Sequence, residues 1–133
     1  MICAGPDTPS SETIRVGGRW ISNTDAQIGL LHVITNKRIE TNINSSDLAP
    51  VSNNLVNQFF QQLRDVGVKN KIVPYIRQGL VVDEVLRELS EGNYQLLVIG
   101  AHFQPGQDLW QGTLLDDVTD QLLNRSSCSV LII

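Results

Sequence analysis

The chain has 133 residues, 41% of them hydrophobic and 18% charged, which suits one domain over residues 1–133 with a real buried core. Its net charge of −4 and pI near 5.0 argue against nucleic acid or an anionic membrane surface as the main partner. No apolar run approaches the ~20 residues that cross a bilayer, and no signal-peptide pattern opens the chain. A cytoplasmic protein is expected, with Cys3 and Cys128 as buried reduced thiols rather than a disulfide. The chain enters a strand at once and stops on Val130-Leu131-Ile132-Ile133, which leaves open that it is a segment of a longer protein.

Taken in order, Ile2 to Gly5 reads as a short strand that Pro6 and Asp7 end. Thr8-Pro9-Ser10-Ser11-Glu12 opens a helix, with hydroxyls to cap it and an acid in its first turn. Ile14, Val16, Trp20 and Ile21 give that helix a partial apolar face. Gly17-Gly18 lies inside it and costs about 1 kcal/mol per glycine against alanine, so either a neighbour packs very close or the helix is poor. Ile28 to Ile34 is a second strand, and 35–52, rich in Asn, Ser and Thr, reads as a long loop. Leu55, Val56, Phe59, Phe60, Leu63 and Val66 then mark the clearest amphipathic helix, closed by Gly67. Lys71 to Arg77 is a third strand, and Pro74 within it predicts a sheet edge, because proline cannot donate to a ladder. A helix through Val82, Val85, Leu86 and Leu89 follows, then a strand from Tyr94 to Gly100. Thr113 to Asn124 reads as a last helix, with Asp116 in its first turn and Arg125 beyond its end, both suited to the dipole. Cys128 to Ile133 is the closing strand.

The alternation βαβαβαβαβ implies a mostly parallel α/β sheet with helices on both faces. Two strand orders are common, 3-2-1-4-5 and 2-1-3-4-5, and an edge position for Pro74 favours the first. The order then reverses between strands one and four, where ligands of open sheets bind beyond the carboxyl ends. Asp7 follows one of these strands and Gly100 ends the other. Asp7 can accept from a ribose or a base amine, or serve only as a turn residue after Pro6. Gly100, Gly106 and Gly112 let backbone approach phosphate oxygens, although loop geometry alone explains such glycines. Thr113 can donate to a phosphate as well as cap its helix, and His102 is either a phosphate contact or a solvated loop residue. His32, mid-strand, reads as a core residue. No metal-ligand spacing and no nucleophilic triad stands out, and Asp116, Asp117 and Asp120 read as a solvated acidic face. A phosphoacceptor domain is poorly supported, since Asp7 has no adjacent acid.

Several stretches together resemble the universal stress protein family: Ile2-Cys3-Ala4-Gly5-Pro6-Asp7, Leu30-Leu31-His32-Val33-Ile34, Gly79 before a helix, Tyr94 to Gly100, Gly112-Thr113 and Cys128 to Ile132. The resemblance spans nearly the whole chain. It implies a three-layer, five-stranded parallel sheet in order 3-2-1-4-5 of the adenine nucleotide alpha hydrolase-like kind, and homodimers paired through the last strand. It also implies a regulatory or stress-response role rather than an enzyme. One branch of the family binds ATP or other adenine nucleotides through a G-x2-G-x9-G-(S/T) loop; another lacks the loop and acts as an interaction module without nucleotide.

By position, Asp7 matches the aspartate that meets adenine or ribose, Val33 the residue whose backbone meets adenine, Gly100 the first loop glycine, and Gly112-Thr113 the last pair. The sequence also departs from the motif. Phe103 stands where the second glycine belongs, the spacer to Gly112 is one residue short, and Ala101, His102, Gln104 and Pro105 replace the usual arginines, while Gly106 matches an additional loop glycine. Each lost charge-assisted bond is worth roughly 1.5–3 kcal/mol, so two such losses weaken binding by about two to four decades. The adenosine side of the site reads as better kept than the phosphate side.

Overall fold

The computed structural model describes residues 1–3, 9–35, 45–100 and 117–133. Its elements are β1 (Ile2–Cys3), α1 (Pro9–Ile21), β2 (Ile28–Ile34), α2 (Ser45–Asp65), β3 (Ile72–Gln78), α3 (Val81–Glu91), β4 (Leu96–Ile99), α4 (Asp117–Arg125) and β5 (Ser129–Ile132). The strands form one parallel sheet in order β3-β2-β1-β4-β5, as the position of Pro74 predicts. Central strands of such a sheet are covered on both faces. Accordingly Ile28, Leu30 and Leu31 of β2, and Leu97, Val98 and Ile99 of β4, are buried, whereas Pro74 and Ile76 on the β3 edge are exposed.

The phase of the ladder explains why Pro74 is tolerated. At one end of the β2–β3 pair the Ile28 N–H donates to the Lys71 carbonyl (2.8 Å), and at the other the Gly79 N–H donates to the Ile34 carbonyl (3.0 Å). In a parallel ladder the residues that bond a given neighbour alternate. The odd-numbered β3 residues therefore face β2, and Pro74, opposite Leu30 in register, turns its missing N–H to the open side.

Each face of the sheet carries its own core. Ile2, Ile14, Ile21, Ile28, Leu30, Phe59, Leu63, Val68 and Val98 form one, beneath α1 and α2. Met1, Leu31, Val82, Val85, Leu89, Leu97, Ile99 and Leu122 form the other, beneath α3 and α4. The Gly17-Gly18 pair is the close-packing case. A Cβ on Gly17 would lie 2.8 Å from Val98 Cγ1, and one on Gly18 would lie 2.8 Å from Leu63 Cδ2. Gly67 ends α2 at a φ of +89°, its N–H on the Arg64 carbonyl, the left-handed cap that glycine accepts without strain.

Several boundaries differ from the sequence reading. The expected loop over 35–52 is shorter, because α2 already starts at Ser45; Asn, Ser and Pro50 are loop signals one by one, yet they continue the helix that carries the Leu55 stripe. The face expected on α1 is also displaced. Thr13, Ile14, Gly17, Gly18 and Ile21 are buried, Val16 is half-buried and Trp20 is 68% exposed. Gly17 meets the sheet at Val98 and Gly18 meets α2 at Leu63, while the tryptophan meets neither. β3 begins one residue later than expected, β4 and β5 are shorter, and β1 is described over Ile2–Cys3 only. Helix α4 is described from Asp117 and runs to Arg125, and Thr113 to Asp116 lie outside the described residues. Both cysteines are free, and each residue is half-buried rather than fully buried.

Candidate functional site

The chain runs outward from β1 through β2 to β3 on one side and from β4 to β5 on the other, so the order reverses between β1 and β4. These two strands are direct neighbours, with Ile2 opposite Val98 and the Val98 N–H donating to the Met1 carbonyl at 2.8 Å. Their carboxyl ends, Cys3 and Ile99, share one rim at the centre of the sheet, the usual ligand crevice of such folds. Gly100 follows β4 on this rim and is half-buried.

Val33 stands near the carboxyl end of β2, also half-buried, with its side chain packed against the α3/α4 core. The even-numbered β2 residues bond β3, by the phase described above, so the N–H and C=O of Val33 point to the β1 side. Of the sequence-predicted site residues, Val33 and Gly100 are thus brought to the same end of the sheet. Asp7, His102, Gly106, Gly112 and Thr113 lie outside the described residues, as does Phe103.

Among the described residues, the surroundings of the rim are apolar and carry little reactive chemistry. Burial pushes the Cys3 thiol up to about 12, so it stays protonated and a poor nucleophile near neutral pH. His32 is 3% exposed and its ring centroid lies 6.3 Å from that of Phe59 in a tilted pair, which makes it the core residue that the sequence suggests. No group of three or more His, Cys, Asp or Glu could hold a metal among the described residues. Asp117 and Asp120, at the start of α4, are exposed.

The most developed polar cluster lies away from the rim, between β3 and α3. Arg77 donates from Nε and Nη2 to Glu88 Oε2 at 2.9 and 2.5 Å and from Nη2 to Glu91 Oε2 at 2.5 Å, and Glu84 sits 3.9 Å from its Nη1. The Tyr94 hydroxyl donates to Glu88 Oε1 at 2.8 Å. Burial, followed by the Glu88 contact, raises the Tyr94 phenol well above its ordinary range. Tyr94 lies across Gly29, where an added Cβ would come within 2.7 Å of its hydroxyl. This cluster was not anticipated, although the sequence carries a signal for it: Glu84, Glu88 and Glu91 recur at helical spacing amid the Val82, Val85 and Leu89 face. Its role is to hold α3 on the sheet.

Among the described residues no helix is long and apolar enough to cross a membrane. No curated protein sequence matches the chain. Solved structures do. The protein MJ0577 has a TM-score of 0.75 at 20% identity, over 99% of this chain and 93% of that one. A universal stress protein in complex with cAMP has a TM-score of 0.72 at 19% identity, over 99% and 94%. A universal stress protein family protein from Arabidopsis thaliana with AMP bound has a TM-score of 0.57 at 18% identity, over 99% and 89%. These likenesses establish the fold. The sequence model of the universal stress protein family matches residues 5–133, nearly the whole length, and the chain belongs to that family.

Proposed function

We propose that this chain is a regulatory, stress-response domain that binds an adenine nucleotide (ATP, ADP or AMP) weakly in the crevice between β1 and β4. The observation that carries the reading is the adjacency of the β1 and β4 carboxyl ends at the point where strand order reverses. Solved structures of similar fold hold cAMP and AMP in the same family. Asp7 would accept from ribose or the adenine amine, and Gly100, Gly106, Gly112 and Thr113 would offer N–H and hydroxyl donors to phosphate, with His102 beside them. The Val33 carbonyl would take the adenine amine. It points toward β1. Phe103 and the missing arginines make the phosphate half the weaker one. A regulatory rather than catalytic protein agrees with the protonated Cys3 thiol and the buried His32. Its free thiols suit a cytoplasmic protein.

Thermal shift and calorimetry with ATP, ADP and AMP test the reading. A stabilisation that Asp7→Ala abolishes is expected, and Phe103→Gly should tighten ATP more than AMP. Silence toward all three ligands at millimolar concentration would favour the second reading, an interaction module of the same fold. In either case we propose a homodimer paired through β5, one of the two edges of the sheet.

A further inference from the structure

Building on that dimer, we propose that its two-fold axis passes beside Leu131 and that Trp20 of each copy seals the seam over the partner's β5. The two sheet edges are unlike. On β3, Pro74 turns its missing N–H outward, as shown above, and Arg77 follows it in the strand. On β5, the last charged residue is Arg125, before the strand begins, and no proline or charge follows. Unguarded apolar edges of this kind pair with another strand. A β5-to-β3 contact between copies would propagate as an open filament and would meet Pro74. Pairing of β5 with the β5 of a second copy closes on itself and avoids it.

The ladder sets the register. The Ile133 N–H donates to the Ile99 carbonyl at 3.0 Å, and Leu96 to Ile99 lie opposite Ser129 to Ile132. Odd-numbered β5 residues therefore bond β4, and Val130 and Ile132 turn their N–H and C=O groups outward. An antiparallel two-fold axis can pass beside Leu131, beside Val130, or beside Ile132, the last pairing only Leu131 to Ile133. Beside Leu131, Val130 exchanges hydrogen bonds with the partner's Ile132, the two Leu131 side chains meet across the axis, and Ser129 faces the partner's Ile133, so the central pairs are apolar on both sides of the sheet. Beside Val130, Leu131 would face the partner's Ser129, and Ile132 would pair with the partner's Cys128, a residue that lies outside the extended β5 segment. Cross-strand pairing favours the first.

Trp20 then accounts for its exposure. Gly17 faces Val98 and Ile133, while Gly18 faces Leu63, Val66 and Val68 below α2. Trp20, one turn after Gly17, is on the β5 side of α1. It is 68% exposed, above the face from which Leu131 and Ile133 project into the α1/α2 core. A helical side chain covers the turn N-terminal to its own Cα, which carries the indole along β5 toward Leu131 and the axis.

Sedimentation equilibrium and directed crosslinking test this. In a Cys3→Ser, Cys128→Ser background, Leu131→Cys should crosslink on mild oxidation, because opposed residues of a non-hydrogen-bonded pair have Cα atoms roughly 4.5 Å apart, within disulfide reach. Val130→Cys should not crosslink. Trp20→Arg should raise the dimer Kd about tenfold or more with unchanged far-UV circular dichroism. In a Trp110→Phe background, Trp20 emission should shift to the blue as concentration carries the protein through its Kd. A wild-type chain that stays monomeric overturns the dimer reading itself. A dimer that crosslinks through Val130→Cys instead, or that Trp20→Arg leaves within twofold, overturns this inference and leaves that reading standing.

Discussion

The two faces of this sheet are held by opposite means. Under α1 and α2 the core is apolar and close: Gly17 and Gly18 let the helix approach until Val98 and Leu63 stand where a Cβ would go. Under α3 the contact is wired, with Glu88 buried at 4% exposure and shared between Arg77 and Tyr94. A close apolar contact tolerates no added volume, and a buried carboxylate tolerates no lost partner. The same parallel sheet therefore has one face whose weak point is steric and one whose weak point is electrostatic.

The largest effect should follow from cutting the wire. Glu88→Ala removes the shared carboxylate and leaves the Tyr94 hydroxyl with Tyr75 alone. Arg77 keeps Glu91 and Glu84. A loss of about 3 kcal/mol in urea unfolding is expected. Replacing both ends of the pair by apolar groups, Arg77→Met with Glu88→Leu, should recover most of that loss, since a well-packed apolar pair often matches a buried ion pair. If the double variant is as unstable as Glu88→Ala, the network contributes more than partner satisfaction.

On the other face the test is added volume. Gly17→Ala gains about 1 kcal/mol of helix propensity but drives a methyl against Val98, a fully buried and β-branched side chain. Overpacking of this kind costs about 1–3 kcal/mol, so a net loss near 1 kcal/mol, some 3–5 °C in Tm, is expected. Gly18→Ala meets Leu63 Cδ2, the end of a more adaptable side chain, and should lose less. A stabilised Gly17→Ala would show that the helix can lift and that the close approach is not needed.

The asymmetry explains what was legible beforehand. Pro74 alone predicts the strand order, because a missing N–H is a backbone fact that no context changes. The paired glycines announce a close approach without saying to what. Trp20 misled because helical spacing identifies an apolar residue but not which side of the helix a neighbour covers. Residues 45–52 misled because Asn, Ser and Pro50 favour turns locally, whereas the helix is held by its later Leu55-to-Leu63 face. At the crevice, Gly100 could be placed from the end of an apolar run. Val33 was singled out only through family likeness, since the direction of its carbonyl follows from ladder phase, which spacing does not reveal. The glutamate stripe of α3 was readable, yet a carboxylate on an apolar face gains meaning only once Arg77 is across from it.

The smallest expected effect separates the faces by pH. Tyr94 and Cys3 both belong to the α3/α4 side, and burial raises both above their ordinary values of 10.0 and 9.0, Cys3 to about 12. A group whose folded value is raised holds its proton longer in the native state. Its stabilisation is complete below the unfolded value and is lost as pH climbs toward the folded one. Stability should therefore begin to fall near pH 9 as the unfolded thiol ionises, and fall faster past pH 10 as the unfolded phenol follows. Tyr94→Phe should lower Tm modestly at pH 7, by loss of the bond to Glu88, and should flatten the decline above pH 10. Cys3→Ala should move the onset upward from pH 9. The glycine variants of the α1 face should run parallel to wild type throughout. Tm profiles between pH 7 and 11 check this, and parallel profiles for Tyr94→Phe and Cys3→Ala would place the alkaline sensitivity elsewhere than on the wired face.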